Sequence, residues 1–153
     1  MAWHVPDKIQ DIIAGYFAEC WENVDYAWRL PVSSPYGVRV DPITGAMRNH
    51  DGIDIPIPRG TRVIAVYDGK IDQIDTLDPD TGNAVYLTAG PWRFCYFHLD
   101  VVQVQKGQYV TRGEVLGLSG STGRSTGPHL HFQVTLADLL INPRIFYPGA
   151  LFR

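Results

Sequence analysis

Hydrophobic positions along the chain follow two regimes. From Asp7 to about Trp28 the apolar residues Ile9, Ile12, Ile13, Tyr16, Phe17, Cys20, Trp21, Val24 and Trp28 recur at three- and four-residue steps, which predicts an amphipathic helix. Asp7, followed three residues later by Gln10, fits a capping box at its first turn. The aromatic stripe of this helix is expected to pack on the main domain. After Leu30-Pro31 the pattern changes to short β-rich runs: Thr61 to Tyr67, Lys70 to Asp75, Ala84 to Thr88, Arg93 to Leu99, Tyr109 to Thr111, Val115 to Ser119 and His129 to Leu136. Turn signals separate them, among them Asp68-Gly69, Thr81-Gly82-Asn83 and Lys106-Gly107. The expected architecture is mainly β, a compact antiparallel sheet or sandwich domain over residues 30–153, with a helical segment over 1–29 attached. Leu139-Leu140-Ile141 is apolar and then broken by Asn142-Pro143, so it reads as structural closure.

The run His129 to Val134 alternates strictly. A strand there sends His129, His131 and Gln133 to one face and Leu130, Phe132 and Val134 to the other, giving one wet imidazole-bearing face and one core face. The preceding Gly120 to Pro128 segment is built from Gly, Ser, Thr, Arg and Pro, which is turn chemistry, and it is expected to wall a cleft.

Composition narrows the partners. With 153 residues, 45% of them hydrophobic, the chain should bury one sizeable core, and a net charge of −3 with scattered Lys and Arg argues against nucleic acid or an anionic membrane as the main partner. No apolar run approaches the roughly 20 residues of a membrane span, and no signal peptide is visible. Oligomeric state is not legible. Cys20 and Cys95 stand far apart without a metal-site or redox-motif neighbour, so two ordinary thiols are expected.

The remaining chemistry lies in histidine and aspartate. His50-Asp51-Gly52-Ile53-Asp54 sets a histidine and a carboxylate four residues apart across a glycine, and both can turn toward one point. Imidazole nitrogen and carboxylate oxygen are good zinc ligands, and catalytic zinc sites use three protein ligands with one open position. His50, Asp54 and one member of the His129/His131 pair make that count, with the other member and His98 left as supporting or catalytic groups. Asp51 is the rival carboxylate, but as His50's immediate neighbour it should point the other way. The phosphate-binding alternative lacks its signature: the glycine-rich Gly117 to Gly123 has no lysine of a phosphate-binding loop.

His50-x-x-x-Asp54, Tyr96-Phe97-His98-Leu99 and Gly123-Arg124-Ser125-Thr126-Gly127-Pro128-His129-Leu130-His131-Phe132 together resemble the lysostaphin/LytM-type zinc metallopeptidases. The resemblance covers roughly Leu30 to Pro148. It implies a LytM-type (duplicated hybrid motif) β fold and zinc held by His50, Asp54 and His131. It also implies His98 and His129 as catalytic groups beside the attacking water, and peptide bonds of bacterial peptidoglycan, in stem peptides or in cross-bridges, as substrate. Members often carry Glu where this chain has Gln133.

Two further classes compete with that reading. A non-catalytic LytM-like module that binds the wall or regulates another hydrolase is disfavoured, because all five candidate residues are present. A biotinyl-type carrier would need a lysine at an exposed hairpin tip with a flanking methionine, which Lys106 lacks. With no export signal visible, release by lysis or carriage in a virion, as in a phage or prophage endolysin, is the expected route to the wall.

Overall fold

The computed structural model describes residues 4–17, 30–147 and 151–153. Helix α1 spans Asp7–Phe17; the remainder of the helix expected up to Trp28, and Cys20 with it, lies outside the described residues. The capping box does not form. Pro6 supplies the carbonyl that receives the Gln10 amide at 3.1 Å, so Asp7 is already inside the helix rather than capping it. Gln10 is buried and acts as a tie: its side-chain nitrogen donates to Val5 O at 2.6 Å, and its side-chain oxygen accepts from Asn142 N at 2.7 Å. Gln10, Ile13 and Ala14 share the inward face, whereas Ile9 and Ile12 are exposed, so the helical stripe is rotated from the one expected.

The rest is strand. In chain order these are β1 (Gly37–Val40), β2 (Met47–His50), β3 (Ile53–Pro56), β4 (Arg62–Ile64), β5 (Gly69–Asp78), β6 (Gly82–Ala89), β7 (Trp92–Val102), β8 (Tyr109–Val110), β9 (Val115–Ser119), β10 (His129–Leu136) and β11 (Leu139–Ile141), followed by a 3-10 turn at Pro143–Ile145. Among the described residues β1 and β2 form a separate two-stranded hairpin, and the other nine make one antiparallel sheet whose main path runs β11-β10-β7-β6-β5-β8. The fold is mainly β and antiparallel, as expected. Strands β1, β2, β3 and β11 are additional to the predicted set, and the run expected over Thr61 to Tyr67 shortens to Arg62–Ile64 at a bulge.

The alternation of β10 is realised. Leu130, Phe132 and Val134 are fully buried and join Ile53, Ile55, Phe94, Tyr96 and Leu99 in the core, and the opposite face turns to the cleft. Phe146 packs edge-on against Phe94 and Trp92, with ring centroids at 5.0 and 4.9 Å, so the C-terminal segment does close the core. Tyr96 lies wholly inside, and its hydroxyl accepts the Val66 amide at 3.0 Å.

Two pairing changes position the chemistry. Strand β7 pairs with β10 up to Phe97↔His131 and then, from Leu99↔Ser119 onward, with β9. His98 sits at the changeover with φ of 67°, a left-handed conformation that takes it out of the regular ladder. On the far edge of β10, β3 pairs over His131↔Asp54, and the other side of Asp54 is held by the amide and carbonyl of Ser34 and by the amide of Ser33.

Candidate metal centre

The three residues that converge most closely are His50, at the end of β2, Asp54, in β3, and His131, in β10. His50 Nε2 is 3.2 Å from Asp54 Oδ1 and 3.2 Å from His131 Nδ1, and His131 Nδ1 is 3.0 Å from Asp54 Oδ1. The ladder explains the convergence: Asp54 and His131 are direct cross-strand partners, and the two-residue turn between β2 and β3 swings His50 onto the same spot. Gly52 makes that turn possible. A β-carbon there would lie 2.5 Å from Phe132 O and 2.7 Å from His131 Nε2, so any side chain would strike the β10 backbone and the His131 ring.

Each imidazole has one nitrogen committed elsewhere. His50 Nδ1 donates to Pro35 O at 2.9 Å, leaving Nε2 for the centre, and His131 Nε2 donates to Gln133 Oε1 at 3.1 Å, leaving Nδ1. Three lone pairs therefore face one another within 3.2 Å, an arrangement that repels itself unless a cation or shared protons lie between them. The donor set fits a metal ion, two imidazole nitrogens and one carboxylate oxygen with room for a further ligand from the cleft, and zinc is the ion it suits. Burial pushes the Asp54 carboxyl up, whereas hydrogen bonds and positive charge from His131 and His50, when a ring carries a proton toward it, outweigh burial and hold the group far below the usual carboxylate range.

His98 and His129 stand beside this centre. His129 Nε2 is 3.6 Å from Asp54 Oδ1, and its Nδ1 donates to Gly127 O at 2.8 Å. His98 Nδ1 donates to Thr122 O at 2.7 Å, and its ring centroid is 4.7 Å from that of His129. Burial, reinforced by the neighbouring His129, lowers the His98 pKa to about 4, so the ring is neutral near pH 7. Thus all five residues singled out in the sequence meet at one cleft, and Asp51 lies apart from the three, accepting from Asn49 at 3.0 Å.

Several contributors had no role assigned from the sequence. Phe97 stacks on His131 at 4.9 Å with the rings 9° from parallel. The hairpin β1–β2 forms one wall of the cleft, pinned by Arg124, whose two terminal nitrogens donate to Asp41 at 3.0 and 3.1 Å. The Asp41-Pro42-Ile43-Thr44-Gly45 turn was the available cue to that hairpin. The cleft encloses a cavity of about 780 Å³.

Comparisons with known proteins point the same way. The profile of peptidase family M23 matches residues 48–143. The chain is 40% identical over 116 residues to the peptidoglycan DD-endopeptidase ShyB of Vibrio cholerae, covering 75% of this chain and 27% of that protein. It is 42% identical over 122 residues to the DD-carboxypeptidase/endopeptidase Mpg of Neisseria meningitidis, covering 79% and 28%. The chain thus spans about a quarter of the length of these curated relatives. Among solved structures, the catalytic domain of lysostaphin from Staphylococcus simulans superposes with a TM-score of 0.72 at 32% identity, covering 83% of this chain and all of that one. A zinc-containing peptidase from Vibrio cholerae gives 0.70 at 37%, covering 78% and 37%.

Proposed function

This chain belongs to peptidase family M23, and we propose that it is a zinc-dependent endopeptidase that hydrolyses peptide bonds of bacterial peptidoglycan, in stem peptides or cross-bridges. The observation that carries this reading is the convergence of His50, Asp54 and His131 within 3.2 Å, with two more imidazoles set beside them in defined tautomers. His50, Asp54 and His131 would hold the metal. Zinc, when bound, supplies Lewis-acid polarisation of the scissile carbonyl and lowers the pKa of water to about 7.

The other roles follow from proton positions. His129 presents Nε2 next to the metal carboxylate, where a general base can take the proton of an attacking water. His98 has Nδ1–H tied to Thr122, so its Nε2 is the atom that accepts a proton and then donates to the oxyanion or the leaving amine. With the two rings 4.7 Å apart, a positive charge on His129 disfavours protonation of His98. An open cleft walled by the hairpin on one side and the Ser125–Pro128 loop on the other suits an extended peptide. Relatives named as DD-endopeptidases and a DD-carboxypeptidase/endopeptidase support peptidoglycan as the substrate.

The test combines metal content with hydrolysis. Wild-type protein is expected to bind about one zinc and to release peptides from purified peptidoglycan. Asp54→Ala and His131→Ala lose the metal, and His129→Ala and His98→Ala keep it while losing about 100- to 10,000-fold in rate. Unchanged metal content in the first pair, or full activity in the second, overturns the assignment.

A further inference from the structure

Three arginines line the cleft, and they are engaged differently. Arg124 makes a bidentate pair with Asp41, and Arg48 adds a 3.3 Å contact to the same carboxylate, which also accepts the amides of Ile43 and Thr44 at 2.8 and 2.9 Å. Both cations are committed to closing the hairpin. Arg39, on β1, instead brings a terminal nitrogen to 3.6 Å from Asp54 Oδ2, and Asp54 is its one ionic partner among the described residues. That contact is longer than the roughly 2.7–2.9 Å of a charge-assisted hydrogen bond. A guanidinium offers five donors in a rigid fork, so a single long contact leaves most of them for another anion.

The position of this cation is specific. Asp54 Oδ1 faces His50 and His131, and Arg39 approaches Oδ2, so its guanidinium stands one carboxylate away from the metal ligands. Its side chain is 24% exposed, enough to meet a molecule in the cleft. With His50, Asp54 and His131 holding a cation, the negative charge that Asp54 offers Arg39 would be reduced. In an amide whose leaving amine bears an α-carboxylate, that carboxylate lies within about 5 Å of the scissile carbonyl oxygen, summed over ordinary bond lengths. Resting on the peptidase reading above, we propose that Arg39 determines specificity by binding this carboxylate. The favoured substrates are then amides in which the nitrogen-bearing carbon of the leaving group carries a free carboxylate. That class includes the C-terminal bond of a peptide and any cross-link of the same chemistry, and it excludes an internal glycine-bridge amide.

The experiment compares zinc-loaded wild type, Arg39→Gln and Arg39→Lys on paired N-acetylated peptides ending in D-Ala-D-Ala, one with a free carboxylate and one with a carboxamide. Zinc affinity is measured on each protein by chelator competition, and peptide binding by calorimetry. Wild type is expected to favour the carboxylate peptide by on the order of tenfold to a hundredfold in kcat/KM, as one charged hydrogen-bonded pair provides. Arg39→Gln loses the preference, its kcat/KM falling about tenfold to a hundredfold further on the carboxylate peptide than on the carboxamide while zinc remains bound, and Arg39→Lys recovers part of the preference. Equal use of both peptides by wild type overturns the proposal, as does a parallel loss of zinc affinity and of both activities in Arg39→Gln, which would make Arg39 a support for Asp54 alone. If neither peptide nor purified peptidoglycan is hydrolysed, it is the peptidase reading that fails. Calorimetry on the peptide pair then decides Arg39: a carboxylate preference lost in Arg39→Gln supports it, and equal binding overturns it.

Discussion

Exchanging Gln133 isolates the contribution of one hydrogen bond to the metal centre. Gln133 Oε1 accepts Nε2–H of His131 at 3.1 Å, which fixes that ring with Nδ1 toward Asp54 and His50. A neutral hydrogen bond contributes about 0.5–1.5 kcal/mol and one to a charged acceptor about 1.5–3 kcal/mol. Glutamate in place of glutamine therefore adds about 1–1.5 kcal/mol to this contact, and every 1.4 kcal/mol is tenfold in affinity. The carboxylate also makes Nδ1 a more basic ligand. Against this, a second carboxylate enters a cleft that already holds the charged Asp54, a cost that a bound dication offsets. Gln133→Glu is thus expected to bind zinc about tenfold more tightly, and Gln133→Leu, which leaves a half-buried N–H without an acceptor, about 10- to 100-fold more weakly. Competition against a chromogenic chelator at fixed pH reads both. If Gln133→Leu binds zinc as wild type does, the hydrogen bond does not orient the ligand. If Gln133→Glu binds more weakly, the cost of the added charge exceeds the gain from the stronger hydrogen bond.

Two other predictions rest on single contacts. Gly52→Ala places a β-carbon 2.5 Å from a backbone oxygen and 2.7 Å from the His131 ring, so it should cost about 1–3 kcal/mol in urea unfolding and lower zinc affinity as well; wild-type values in both would refute the steric account. His98 is depressed to about 4 from its ordinary 6.5, so between those two pH values the unfolded chain binds more protons and the stability of the metal-free protein rises with pH. His98→Gln should remove up to about 3 kcal/mol of that rise in unfolding curves taken across this window, and an unaltered slope would show that His98 is not held neutral.

The chemistry of the site was more legible than the frame that holds it. Strict alternation in His129–Val134 marked both faces of β10 correctly, because one face is wholly buried and the other polar. The β1–β2 hairpin escaped because its burial runs against its hydrophobicity. Val38, Val40 and Met47 are 73%, 59% and 68% exposed, while Arg39 and Arg48 turn to carboxylates in the cleft. A reading that sends apolar residues inward assigns no such element. The misplaced capping box has a similar cause: Gln10 had a distant partner, Asn142, that local spacing cannot reveal. His98 was found by its residue type, but the bulge that presents it arises from β7 exchanging β10 for β9, a property of the whole sheet.

The acceptors that set the imidazole tautomers share one further property. Those of His50, His98 and His129 are the carbonyls of Pro35, Thr122 and Gly127, and that of His131 is a neutral amide. Main-chain oxygens do not titrate and are not removed by changing the side chain of the residue that carries them. The proton addresses of three of the four rings are therefore written in the path of the backbone. A side-chain scan of residues 35, 122 and 127 would register only the shape of the loops, and amide-to-ester replacement at the bond whose carbonyl is involved is the change that weakens the acceptor itself. The orientation of these three rings is consequently inherited from loop geometry.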